Sequence, residues 1–126
     1  PCLPRDNRAL GVHAEKMGLT LNLPMAIDKF NVEHHKFLVN KYVREFPDRD
    51  TTFVFNTVTF KKGTDQLTES QQLNLLLSLL SEGYNCVVID MDTVIKKLKS
   101  PLERTWGNRI KFQPIGTIAD GVKIIL

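Results

Sequence analysis

The sequence predicts an α/β fold: a small single-domain sandwich with a mainly parallel central sheet, helices on both faces and a C-terminal antiparallel hairpin. Three stretches carry that reading. Thr51–Phe60 is rich in Thr, Val and Phe, residue types that suit a pleated, half-buried surface. Cys86-Val87-Val88-Ile89 is apolar at every position, as a strand covered on both faces must be. Between them, six leucines fall between Leu73 and Leu80. Strand, helix and strand in that order make a crossover unit, whose strands run parallel with a right-handed connection.

The other elements follow from local signals. Asp6 can cap a helix over 7–17 that Gly18 ends. Leu19-Thr20-Leu21-Asn22-Leu23 alternates strictly and predicts a short strand. Pro24 suits a helical first turn, and Ile27, Phe30, His34, Phe37, Leu38 and Tyr42 then recur at helical spacing. A long amphipathic helix should run to about Phe46, where Pro47 stops it. Thr68-Glu69-Ser70-Gln71 has the pattern of a capping box, opening the leucine helix over 69–82, and Gly83 closes it. The next strand covers 85–90. After Asp92 a short helix is expected near 93–99, interrupted by Pro101, and then a strand over Arg109–Gln113. Ile115–Ala119 and Val122–Leu126 flank Asp120-Gly121, a dipeptide that accepts the positive φ angles of a type I′ turn, hence the terminal hairpin.

At 126 residues the chain reads as one domain, 1–126. With 42% hydrophobic and 25% charged residues it has the composition of a packed, water-soluble protein and not of a disordered, collagenous or coiled-coil one. No apolar run reaches the roughly 18 residues of a membrane span. The opening Pro1–Asp6 lacks the pattern of a signal peptide, although cleavage would hide one. A start without Met and an end on Ile-Ile-Leu would suit a fragment of something longer. Cys2 and Cys86 form no cluster: Cys86 is expected to be an inert buried thiol and Cys2 an exposed one. That usage fits a reducing compartment, cytoplasmic rather than secreted.

Charge reverses along the chain. Residues 63–92 carry Asp65, Glu69, Glu82, Asp90 and Asp92 with no Lys or Arg, whereas 93–126 carry seven cations against Glu103 and Asp120. In the latter stretch Lys96, Lys97, Lys99, Arg104, Arg109 and Lys111 are interleaved with Trp106. Such cations could follow phosphates while the indole stacks on an unpaired base. The ordinary alternative is a solvated helix face with Trp106 in the core.

A second set of residues depends on the parallel sheet. The carboxyl ends of its strands open on one edge, where ligands bind in such folds. Lys61 and Lys62 follow one strand, Asp90 and Asp92 the next, and the leucine helix can point free N–H groups there. The bland reading makes the lysines a solvated strand end and Asp92 or Thr93 a helix cap. Asn56–Thr64 lacks the glycines of a phosphate-cradling P-loop. Val87-Val88-Ile89-Asp90-Met91-Asp92-Thr93-Val94 spells a strand followed by D-x-D-x-T, which over those eight residues resembles the first motif of the haloacid dehalogenase phosphatases. The resemblance implies Asp90 as nucleophile and metal ligand and Asp92 as general acid or base. That family takes its other motifs from downstream strands, and here 34 residues follow Asp92, with no paired acidic motif. His34 and His35 are adjacent, about 100 degrees apart on a helix, and cannot share a metal. Pro1 lacks the opening strand that a catalytic secondary amine would need, and no G-x-S-x-G elbow is present.

Two functions are therefore expected to compete. The first is a non-catalytic binding or regulatory module, without a cofactor, contacting RNA, single-stranded DNA or an acidic protein surface through 96–111. The second is a metal-dependent phosphate- or nucleotide-handling enzyme using Asp90 and Asp92 with Mg, assisted by Lys61 or Lys62. Oligomerisation through the sheet edge or the hairpin is compatible with either.

Overall fold

Parallel strands need crossovers, and three of them organise this chain. The computed structural model describes residues 2–124. Helices α1 (Cys2–Lys16) and α2 (Asn22–Glu45) precede β1 (Thr52–Phe55), α3 (Gln71–Ser81), β2 (Asn85–Asp90), α4 (Asp92–Trp106), β3 (Ile110–Pro114) and β4 (Val122–Ile124). The sheet order is β3-β2-β1-β4, with every pairing parallel. The α/β class and the β1–α3–β2 crossover thus stand as read from the sequence.

The antiparallel hairpin does not form. Val122 and Ile124 pair with Phe53 and Phe55 of β1 in parallel, at the opposite edge of the sheet from β3. The seven-residue segment 115–121 must cross about three strand spacings, roughly 14 Å, and also return to the start of β1, a task for near-extended chain and not for a tight turn. Gly121 is needed for contact, not for a type I′ turn: at φ 145° its missing Cβ would press against the Thr52 carbonyl oxygen. Pro1, Ile125 and Leu126, the last two being the end of the expected hairpin arm, lie outside the described residues, as does the side chain of Cys2.

The helices that pack on the sheet gather on one of its faces. Successive steps β1→β2→β3 in one direction, with right-handed connections, bring α3 and α4 to the same face. There Leu75, Leu76, Leu79 and Leu80 of α3 and Val94 and Leu98 of α4 bury with Phe53, Phe55, Cys86 and Val88, and α2 adds Leu38, Val39, Tyr42 and Val43. The other face holds a smaller cluster, Val54, Val87 and Ile89, against Ala119 of the crossing segment. Burial pushes the Cys86 thiol up to about 12, the inert state expected of it.

Several boundaries move. The alternating run Leu19–Leu23 is no strand; Leu19 and Leu23 are exposed, and α2 already begins at Asn22, with Pro24 in its first turn, where no donor is lost. β1 ends at Phe55 instead of Phe60, because Thr57 and Val58 leave the sheet to bond a side chain of β2. α3 is capped by Ser70, whose hydroxyl accepts from Leu73 N–H at 3.1 Å, and not by Thr68. α4 runs through Pro101 to Trp106, since Pro101 lies on its exposed side, where the orphaned Lys97 carbonyl can meet solvent. No helix among the described residues is long and apolar enough to cross a membrane.

Candidate functional site

The carboxyl edge of the sheet gathers the first set of candidates, and Asp90 is its centre. As the last residue of β2 it is 3% exposed. Its Oδ2 accepts from Val58 N–H at 2.8 Å and from the Thr57 hydroxyl at 3.1 Å, and its Oδ1 accepts from Met91 N–H at 2.8 Å. Ser70 Oγ donates to the Val58 carbonyl at 2.7 Å while capping α3. The carboxylate therefore staples the end of β2 to the loop after β1 and, through Val58 and Ser70, to the start of α3. Both oxygens accept from backbone and hydroxyl donors of this chain, which take three of the roughly four acceptor positions that a carboxylate offers.

Asp92 is exposed in the first turn of α4, where a negative charge meets the positive end of the helix. It is not the cap, and neither is Thr93: Met91 holds that position without a side-chain bond. Lys61 and Lys62 are exposed in the turn after Thr59, and among the described residues no carboxylate oxygen lies within 4.0 Å of either. No group of three or more His, Cys, Asp or Glu is gathered to hold a metal among the described residues.

The basic segment divides. Val94, Leu98, Leu102 and Trp106 follow one another at four-residue spacing and turn toward the core, so Lys96, Lys97, Lys99 and Arg104 are left on the solvent side of α4. Lys97 Nζ reaches Asp65 Oδ2 at 2.5 Å, and this bond and charge hold the Asp65 carboxyl below the usual carboxylate range. The pair clips the turn bearing Lys61 and Lys62 to α4, bringing together two sets of cations that the sequence presents separately. Around Lys96, Lys99, Arg104 and Arg109, no described carboxylate oxygen lies within 4.0 Å.

Trp106 is half-buried against the core, with the Arg109 guanidinium 5.8 Å from its ring centre. That placement matches the ordinary core reading and spends one face of the indole. Lys111 is paired in register with Val87, so its exposed side chain leaves the sheet on the side of the smaller cluster, away from α4. The structure does not bring it to the α4 cations.

This chain matches no protein-family model and no curated protein.

A further cluster has no counterpart in the sequence reading. Arg8 of α1 bonds Asp28 of α2 at 3.2 Å and Glu69 at 2.6 Å, beside a cavity of about 330 Å³ between α1, α2 and the start of α3. Glu69 has φ 60°, a left-handed backbone that a non-glycine residue rarely takes, and its bond to Arg8 helps to hold it there. His35 Nε2 lies 2.9 Å from Ser78 Oγ; burial, then the neighbouring His34, keeps its pKa below the ordinary histidine value. Residues 8, 28 and 69 share no periodic spacing, so no sequence signal marks them as neighbours.

Proposed function

We propose that this domain is a non-catalytic binding module whose ligand is a single-stranded nucleic acid, held through its phosphates by the solvent face of α4 and the adjoining 61–65 turn. The observation that carries the reading is the set of exposed cations Lys96, Lys99 and Arg104 on the solvent half of α4, together with Lys61 and Lys62, without a carboxylate partner at contact distance among the described residues. These cations span about 12 Å of the helix axis, from Lys96 to Arg104, with Lys99 and Arg104 roughly 140° apart and the exposed Glu103 between them, so a flexible ligand that repeats its own charge suits them. Recognition rests on phosphates and not on bases, because Trp106 is turned toward the core. The engaged Asp90 favours this reading over the metal-dependent enzyme.

The test is fluorescence anisotropy with labelled single-stranded RNA and DNA. Reversing Lys96, Lys99 and Arg104 together to Glu should weaken binding by about tenfold or more, while Lys111→Glu, on the other side of the sheet, should change it little. Equal loss from both variants would assign binding to net charge instead of to α4. Binding of an acidic peptide with none to nucleic acid would identify a protein partner and remove the proposal.

A further inference from the structure

Helix α2 carries two apolar rows, centred roughly 130° apart around its axis. Leu38, Val39, Tyr42 and Val43 meet the core, and Pro24 and Met25 meet Gly11 of α1. The second row carries Leu23, Ile27, Phe30, His34, Phe37 and Lys41, separated alternately by four and three residues. Leu23 is 71% exposed, Phe30 66%, Phe37 57% and Ile27 42%. The rings of Phe30, His34 and Phe37 stack in file, with centres 6.0 and 6.3 Å apart. Large apolar side chains exposed in a row along one helix mark a contact surface, and no described residue of this chain covers it.

We propose that the missing partner is a second copy of this chain, its α2 laid against the first. The alternation of four and three is the seam of paired helices, whose knobs need an equally spaced row of holes opposite. Among the described helices, α2 itself presents such a row to solvent, so a two-fold pair satisfies both copies at once. The positions flanking the seam are Ala26, Glu33 and Asn40 on one side and Pro24, Asn31 and Leu38 on the other; Glu33, the lone charge, is held by Lys36 at 3.3 Å. Two copies can thus approach with little repulsion. The exposed area agrees: the chain presents 8225 Å², where a 14.4 kDa monomer presents roughly 6,800 Å². The surplus of about 1,400 Å² belongs to the whole chain, α1 included, and leaves room for the roughly 800 Å² that each partner contributes to a stable interface. His34 and Lys41 in the seam fix its register at some cost in affinity.

Sedimentation velocity of the whole chain over a wide concentration range tests this. The wild type should dimerise, Phe30→Glu and Phe37→Glu should each weaken association by about thirtyfold or more, and His34→Leu should tighten it. Ile118→Glu, on the distant crossing segment, should leave it unchanged. Because the altered side chains are exposed, circular dichroism should show every variant folded. A wild type that stays monomeric at its highest soluble concentration, or a dimer that survives both Phe30→Glu and Phe37→Glu, would overturn the proposal.

Discussion

A buried carboxylate that accepts three hydrogen bonds is worth more to a fold than a lone charge at its surface. Asp90→Asn would place an amide group against Val58 N–H, Met91 N–H or the Thr57 hydroxyl and leave at least one donor unmatched. The variant should lose about 2–3 kcal/mol of stability in urea unfolding, with phosphate-backbone binding unaltered at temperatures where it remains folded. An unchanged stability, with a magnesium-dependent rise in melting temperature confined to the wild type, would instead support a metal site. The sequence marks Asp90 as unusual through the D-x-D pattern, yet gives no hint of its partners. Two of its donors are backbone N–H groups, which every residue but proline offers, and Val58 lies 32 residues away. The same limit applies to Trp106: interleaving with cations is visible along the chain, whereas the four-residue spacing that turns the ring inward holds only if α4 continues past Pro101.

Elements with a long, consistent pattern were readable, and short ones were not. α2, α3 and β2 lie within two residues of their expected bounds because apolar periodicity and flanking Pro or Gly agree. Leu19–Leu23 offered alternation over five residues only, and without a neighbouring strand to pair with, the last of them joined α2. The Asp120-Gly121 dipeptide has the local chemistry of a hairpin, but the vacancy beside β1 is a property of the whole sheet. Here the glycine has a different duty, and Gly121→Ala measures it. The new methyl group would press on the Thr52 carbonyl from a backbone at φ 145°, costing about 2 kcal/mol or more in chemical unfolding as β4 is pushed from the sheet. A neutral substitution would mean that β4 does not seat against β1 as described.

At the scale of the molecule, charge and topology act together. The negative stretch 63–92 and the positive stretch 93–126 are legible as numbers, but only the fold separates Lys111 from α4 and clips the Lys61–Lys62 turn to it through Asp65 and Lys97. The ligand-facing surface is therefore one strip and not the whole basic segment. Ionic strength probes that strip most directly, because each phosphate held by a lysine or arginine releases condensed counterions. Binding of single-stranded RNA, measured from low to physiological salt, should give a line of log affinity against log salt with a slope of about −2 to −3.5, from three to five contacts at roughly 0.7 each. A flat line, or no binding at the lowest salt, would contradict the assignment of α4 as a phosphate-binding face.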